Sequence, residues 1–259
     1  MVENSLSPAA ITDNLATRFI GQRVIYYPRL TSTMDVARRQ AQQGAIEGTV
    51  IVAEEQTAGR GRLKRTWLSP KGSIALSIIL YPQLAYLSSL IMVASLAVVH
   101  GIARVTDLKS RIKWPNDVLV NGKKVCGILI ESDVRGDSVD YAIIGIGVNV
   151  NLRPSEFPEI SPTATSLSHE LRRDVSRLDM IRCLLAEAER LYLALPTGQS
   201  VYQEWRDNLV TLGKKVQVRS GATTYKGMAE SVASDGSLLL RQSDGSLIKI
   251  VAGDVTLRE

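Results

Sequence analysis

The longest apolar segment of the chain, residues 84–105, most restricts how the protein can fold. An apolar segment of this length has to be buried, either in a membrane or in a protein core. It is interrupted by Ser88, Ser89, Ser95, His100 and Arg104. Because a membrane span requires a cleaner run of about 20 apolar residues, we predict a core helix and no membrane insertion.

The first 212 residues combine helix patterns with a strand-rich middle, and we predict an α+β fold with a mixed central sheet and helices packed on it. Asn121-Gly122 is a hairpin turn signal, and Ile74, Leu76, Ile78 and Leu80 share one face of a strand. A Ser or Thr at 31–33 can cap the helix that follows, and Ser176 with Asp179 is typical of another helix start. The predicted strands are 24–27, 49–53, 74–81, 111–114, 117–120, 124–131 and 141–150, and the other predicted helices are 34–43, 178–195 and 201–209.

From Gly213 onward the pattern changes to short alternating strands separated by Ser-Gly and Asp-Gly turns. The predicted strands are 215–219, 223–231, 237–241 and 246–251. They predict a small β-barrel, and so two domains, 1–212 and 213–259.

The charge of the chain is concentrated in one loop. The net charge is +5, and residues 59–71 hold five basic residues and no acid, so the remainder balances at 26 against 26. Two cysteines cannot build a disulfide framework, and two histidines argue against metal or triad chemistry centred on histidine. The first 20 residues lack the features of a signal peptide, so we expect a cytoplasmic protein.

The basic loop contains Gly59-Arg60-Gly61-Arg62 directly after a predicted strand. Glycine permits close approach of the backbone to a ligand, and arginine binds phosphate or carboxylate through two N–H groups. The pattern lacks the lysine of a phosphate-binding P-loop and the third glycine of a dinucleotide fingerprint. From spacing alone, an anion site and a solvated basic turn or RNA-binding patch remain equally open.

Four other features have an ordinary structural explanation as well as a functional one. Lys113, in the motif Lys-Trp-Pro-Asn-Asp, is either a surface lysine or a charge directed into a cleft. Ser32-Thr33 can be helix caps, and Trp67 can be core or a stacking surface for a base. The glycines of 145–149 indicate either close strand packing or the approach of a ligand.

Taken together and in this order, these motifs resemble the biotin–protein ligase family, that is, the biotin–[acetyl-CoA-carboxylase] ligases. The resemblance runs from residue 24 to the C-terminus, and its most specific part is the arginine loop followed about 50 residues later by Lys-Trp-Pro-Asn-Asp. It implies a catalytic domain like that of class II synthetases and of biotin and lipoate ligases. It also implies that the C-terminal segment is an SH3-like domain.

The resemblance implies an ATP-dependent, two-step reaction. Biotin and ATP form biotinyl-5′-AMP, and a lysine of a biotin carboxyl carrier protein then takes the biotinyl group. Fixed cations suit a reaction that brings two anions together. Mg²⁺ is expected to accompany ATP.

The resemblance also assigns roles by matching position. Lys113 and Arg60 are the expected catalytic residues. The expected biotin-binding residues are Ser32, Thr33, Met34, Gln56, Gly59, Arg60, Gly61, Arg62, Lys113, Gly127 and Gly145, and those for ATP or the adenylate are Arg60, Arg62, Trp67, Lys113, Asn116 and Asn149. No residue is assigned to a metal, although Asp117 is a candidate near Mg²⁺.

Two features depart from the longer members of the family. Only about 23 residues precede the first predicted strand, so we expect no DNA-binding domain, no repressor activity and no nucleic-acid partner. Met34 stands where an asparagine is frequent in the family. The expected state is a monomer or homodimer.

Other interpretations remain. A lipoate–protein ligase uses the same adenylation chemistry, although the Lys-Trp-Pro-Asn-Asp segment argues against it. A nucleic-acid-binding module would need several exposed aromatic residues beside the basic ones, and Trp67 is the only aromatic residue in the loop. A catalytically inactive scaffold would not need the intact glycines and charges. Lys64, Arg65 and Lys71 have no assigned role.

Overall fold

A computed structural model describes residues 6–197 and 201–257. The helices are α1 (Pro8–Thr12), α2 (Thr33–Gln42), α3 (Leu90–Thr106), α4 (Leu167–Leu171), α5 (Arg177–Ala194) and α6 (Val201–Asp207). The strands are β1 (Val24–Tyr27), β2 (Val50–Ala53), β3 (Ile74–Leu80), β4 (Ser110–Lys113), β5 (Asp117–Val120), β6 (Lys123–Arg135), β7 (Ser138–Val148), β8 (Lys215–Ser220), β9 (Thr223–Val232), β10 (Leu238–Arg241), β11 (Leu247–Ile250) and β12 (Asp254–Leu257).

The first seven strands form one mixed sheet in the order β1-β2-β3-β7-β6-β5-β4. Strands β1 and β2 are parallel, and the other neighbours are antiparallel. Helix α2 covers one face, where Met34, Val36 and Ala37 belong to the same buried cluster as Ile79 of β3. The other face packs against the cluster that contains α3 and α5. Since both faces are covered, every residue of β3 is buried, and the predicted α+β class is confirmed.

The long apolar segment is a core helix, as predicted. It begins with a 3-10 turn over Leu84–Ser89 and continues as α3, which contacts α5, α6 and the sheet. Leu84–Thr106 is the one helix of the described residues that is long and apolar enough to cross a membrane. Residues such as Met92, Leu96 and Ile102 are buried against the rest of the protein, which is the environment of a core helix.

Three short elements escape the sequence-based prediction. Helices α1 and α4 have five residues each, too few to show a helical period, although Ser7 and Ser166 cap them by accepting from Ala10 N and His169 N. Strand β12 also lies beyond the predicted strands.

Of the two predicted caps, one is confirmed. Ser176 Oγ accepts from Asp179 N at the start of α5. Ser32 precedes α2 but its side chain makes no capping hydrogen bond, while Gln56 Oε1 accepts from Thr33 N at 2.8 Å.

The C-terminal strands form a second, antiparallel sheet in the order β11-β10-β9-β8-β12. Within the described residues, β11 and β12 are its two edges and do not pair. Val218, Leu238 and Leu240 join the same buried cluster as α3. Trp114 Nε1 donates to Gly236 O at 2.8 Å, so a residue of the Lys-Trp-Pro-Asn-Asp motif anchors this sheet to the larger one.

A buried carboxylate fixes the chain before β1. Glu189 of α5 is 5% exposed, and it accepts from Arg18 N, Phe19 N and Ile20 N at 2.6, 2.9 and 2.8 Å. Hydrogen bonds to an ionised acceptor are stronger than those between neutral groups. This side chain therefore joins the N-terminal segment to the helical layer.

We predict that Glu189→Gln lowers the free energy of unfolding by about 1–3 kcal/mol, because an uncharged amide has to replace a carboxylate at three backbone N–H groups, of which that of Ile20 is buried. Urea unfolding followed by circular dichroism measures the change. Glu159→Gln, at an exposed position, is the control and is expected to leave the midpoint unchanged. Equal midpoints for the two variants would contradict the assignment.

Candidate functional site

The arginine loop connects β2 to β3 and is held by its own backbone. Trp67 N donates to Gly59 O, and Gly61 N donates to Arg65 O, each at 2.8 Å. Gly59 must be a glycine, because a Cβ there would lie 2.3 Å from Trp67 O. Leu63 and Lys64, at the tip, have φ values of 54° and 59°. The loop is therefore a closed turn that presents arginine side chains on both sides.

The loop covers a first cavity at the middle of the large sheet. It is lined by Ser32, Thr33, Met34, Gln56, Arg60, Gly61, Arg62, Arg65, Thr66, Trp67, Leu76, Asn116, Asp117, Lys124, Gly127, Ile128, Leu129, Gly145, Ile146, Gly147 and Asp254. Most residues predicted for biotin therefore meet in one place. Gly59 and Lys113 do not line this cavity, and neither does Asn149.

One end of the first cavity is polar and uncharged. Gln56 Oε1 accepts from Thr33 N and Thr33 Oγ1, at 2.8 and 3.1 Å, and Ser77 Oγ donates to Thr33 Oγ1 at 2.8 Å. Ser32 Oγ is buried and has no hydrogen-bond partner among the described residues. A buried hydroxyl of this kind is suited to a ligand with amide-like groups.

Glycines form the floor of the first cavity. A Cβ at Gly145 would lie 2.5 Å from Met34 Sδ, so this glycine makes room for the thioether. A Cβ at Gly147 would lie 2.3 Å from Trp67 Nε1, and one at Gly127 would lie 3.0 Å from Trp67 Cζ3. Two glycines on neighbouring strands thus form the seat of the Trp67 indole.

A second cavity lies on the other side of Trp67. It is lined by Arg65, Thr66, Trp67, Leu68, Lys113, Asp117, Leu119, Gly122, Lys123, Lys124, Asn149, Ile160, Pro162, Thr163, Ala164 and Thr256. The residues that line both cavities are Arg65, Thr66, Trp67, Asp117 and Lys124, so these mark the junction between them.

The structure places Lys113 outside the first cavity, where it was expected to meet biotin. This residue ends β4 and lines only the second cavity, whereas Lys124 of β6 lies at the junction. Lys124 Nζ is 2.6 Å from Asp117 Oδ1 and 5.3 Å from the centre of the Trp67 ring. In the sequence, Lys124 follows a hairpin turn and resembles a solvated charge, so no local signal distinguishes it.

Asn149 has mainly a structural role. It is buried, its Nδ2 donates to Thr165 O at 3.0 Å, and its N donates to Val125 O at 2.8 Å. These bonds hold the segment after β7, whose Ile160 and Pro162 form one wall of the second cavity. The expected contact of Asn149 with ATP therefore remains a prediction.

The cations of the site form ion pairs with carboxylates, and the sequence-based prediction missed these carboxylates. Arg60 forms 3.0 Å ion pairs with both Asp35 and Glu131, and Arg65 pairs with Asp254. Arg62 instead donates to Asn116 Oδ1 at 3.0 Å and to Gly253 O at 3.2 Å. Burial lowers the pKa of Arg62, against the opposing charges of Asp254 and Asp117.

Comparison with known proteins agrees with this architecture. Residues 26–149 match the biotin/lipoate A/B protein ligase family, and residues 211–258 match the biotin protein ligase C terminal domain. The fold and the paired cavities thus define a protein of the biotin and lipoate ligase class.

Individual relatives show which members of that class the chain is similar to. The chain is 38% identical to the bifunctional ligase/repressor BirA of Bacillus subtilis over 97% of this chain and 79% of the relative. It is 32% identical to the biotin–[acetyl-CoA-carboxylase] ligase of Mycobacterium tuberculosis over 87% of this chain and 85% of that one. A biotin protein ligase from Aquifex aeolicus, solved in complex with biotin and ATP, superposes with a TM-score of 0.77 at 30% identity, covering 92% of this chain and 99% of that one. The chain belongs to the biotin protein ligase family.

The seat of Trp67 generates a prediction that is independent of activity. Gly147→Ala is expected to displace the Trp67 indole, because β7 is paired on both sides and the new Cβ cannot move away from the ring. The displaced indole is expected to emit at longer wavelength. Trp114 and Trp205 are 1% and 0% exposed, so the change would report Trp67. Gly145→Ala is the control, since it meets the flexible Met34 thioether. Identical spectra for the two variants would contradict this geometry.

Proposed function

We propose that this protein is a biotin–protein ligase that converts biotin and ATP into biotinyl-5′-AMP and pyrophosphate. It then transfers the biotinyl group to a lysine of a biotin carboxyl carrier protein. The observation that carries the proposal is the junction of the two cavities, where Lys124 and the loop arginines converge between an uncharged polar pocket and the Trp67 wall.

The uncharged end of the first cavity suits the ureido group of biotin. Ser32 Oγ lacks a partner among the described residues, and Thr33 and Gln56 offer further polar atoms. The glycine floor and Met34 suit the apolar ring and chain. In this orientation the biotin carboxylate extends toward Lys124 and Arg60.

The second cavity suits the nucleotide. Trp67 provides a flat surface for adenine, as in the stacking of bases on aromatic side chains. Lys113 and Arg65 line this cavity, and Asn116 lines the first cavity. Lys113 is therefore assigned to the nucleotide, and Lys124 takes the catalytic position beside Arg60.

In the first step, a carboxylate oxygen of biotin attacks the α-phosphorus of ATP, and the bond to pyrophosphate breaks. Lys124 and Arg60 offset the repulsion between the two anions and stabilise the charge that develops on the phosphate. Fixed cations do this without the cost of reorganising water.

In the second step, the amine of the carrier lysine attacks the carbonyl of the mixed anhydride and AMP leaves. No covalent enzyme intermediate is required. Burial raises the pKa of the Cys126 thiol, which makes this nearby residue a poor nucleophile.

Mg²⁺ is part of the proposal as the ion that accompanies ATP. No group of three or more acidic, histidine or cysteine side chains in residues 6–197 and 201–257 could enclose a metal. Mg²⁺ commonly binds through one or two carboxylates and the substrate phosphates. Asp117, which lines both cavities, is the residue that would contact it.

For the carrier, we propose an approach along β6. Residues 123–127 of β6 pair with β5, and Ile128 N donates to Asn116 O at 3.0 Å, but within the described residues 129–135 pair with β7 alone. An exposed strand edge is a template for pairing with another chain. This edge starts beside the Leu129 and Ile128 that line the first cavity, and it would serve a carrier or a second copy of the chain.

The remaining parts of the proposal concern organisation and location. We divide the chain into a ligase domain, 1–212, and a C-terminal domain, 213–259, and we place the protein in the cytoplasm. The expectation that it does not bind DNA stays a prediction.

The test of the function is incubation with biotin, ATP, Mg²⁺ and a biotin carrier domain, followed by mass spectrometry of the carrier. The expected result is one added biotinyl group. Lipoate in place of biotin is the control for the sister activity, and modification with lipoate alone would overturn the proposal.

Two lysine variants test the assignment of the junction. Lys124→Ala is expected to reduce pyrophosphate release by about 100-fold or more, because the charge between the two anions is lost. Lys113→Ala is expected to raise the KM for ATP with a smaller change in kcat. Lys109→Ala, at an exposed position away from the cavities, is the control. The reverse order of effects would return Lys113 to the catalytic position.

A variant of the free edge separates the two steps. Val134 is 41% exposed on β6, and Val134→Lys should hinder strand pairing, because charged side chains protect sheet edges. We expect slower transfer to the carrier and unchanged formation of the adenylate. Val251→Lys, at a 75% exposed position just after β11, is the control. Normal transfer in Val134→Lys would place the carrier elsewhere.

A further inference from the structure

The C-terminal sheet supplies an acidic residue to the ligand site. Asp254, the first residue of β12, lines the first cavity and forms an ion pair with Arg65 of the arginine loop. Its neighbour Gly253 accepts a hydrogen bond from Arg62 through its carbonyl oxygen, at 3.2 Å. Two of the loop arginines are thus held by one short segment of the other domain.

The ion pair of Arg65 differs from the others in the site. Arg60 and Lys124 pair with Asp35, Glu131 and Asp117, which all belong to the large sheet or to the helix on it. Arg65 lines both cavities, and its side chain is 59% exposed while that of Asp254 is 24% exposed. Arg65 therefore has a more exposed side chain than Arg60 and Lys124, and its carboxylate partner comes from a separate domain.

We propose that Asp254 is a positioning residue that occupies Arg65 in place of a phosphate and thereby sets the affinity for the nucleotide. This inference rests on the proposed function. A phosphate of ATP and the Asp254 carboxylate compete for the same N–H groups, and their like charges oppose simultaneous close binding. When ATP binds, Arg65 exchanges its carboxylate for the phosphate.

The exchange connects nucleotide binding to the C-terminal domain. Once Arg65 turns to the phosphate, β12 keeps only the Gly253 contact with Arg62 among these two links to the loop. This connection follows from one ion pair whose partners lie on different domains.

The experiment is calorimetric titration of the protein with ATP in the presence of Mg²⁺. Because the pair is partly exposed, Asp254→Asn is expected to tighten ATP binding by about two- to fivefold. The control is Asp244→Asn, which removes a carboxylate of the same domain that interacts only with its own turn at Ser246 and is expected to bind like the wild type. Unchanged or weaker binding in Asp254→Asn would overturn the inference.

A double-mutant cycle tests whether the effect of Asp254 on ATP binding depends on Arg65. Arg65→Ala should weaken ATP binding, and Asp254→Asn should have no further effect in that background, because Asp254 acts through Arg65. A full effect of Asp254→Asn without Arg65 would also overturn the inference. Wild-type protein that binds no ATP at all would instead refute the proposed function, so the two failures are distinguishable.

Discussion

The arrangement of the site depends on holding several cations close together before any ligand is present. Arg60, Arg62, Arg65 and Lys124 converge on one cavity. Like charges that line one cavity repel each other, and burial adds the cost of removing them from water. Carboxylates on surrounding elements offset that cost for three of the four. Arg62 donates to two uncharged acceptors, and burial lowers its pKa.

The fold makes this convergence possible because both faces of the large sheet are covered. Helix α2 packs on one face and α3 with α5 on the other. A cavity can then open only where side chains are absent, and Gly127, Gly145 and Gly147 create that space in the middle of the sheet. Trp67 fills part of it and divides the remainder into two compartments. The boundary between the compartments is where a carboxylate and a phosphate have to meet.

The sequence predicts the fold class from local signals, namely strand alternation and turn residues, and most of the first cavity through its resemblance to the ligase family. It does not predict which lysine reaches the junction. Lys113 stands beside a tryptophan and a proline, which makes its motif conspicuous, whereas Lys124 follows an ordinary hairpin turn. Lys124 meets Asp117 only through the pairing of β5 with β6, whose register shifts between Val118 and Leu119. The partners Glu131 and Asp254 are likewise set by tertiary packing, since each is far from the loop along the chain.

The same reasoning explains why the second domain belongs to the site and is not an appendage. The indole of Trp114 is buried and donates to Gly236 O, and the preceding residue, Lys113, lines the second cavity. Arg62 donates to Gly253 O from the loop side. The C-terminal sheet therefore accepts a hydrogen bond from each of the two motifs that the resemblance singled out, at positions beside the cavities. A movement of that sheet would shift the nucleotide wall and the loop arginines together, which makes the geometry of the junction a property of both domains.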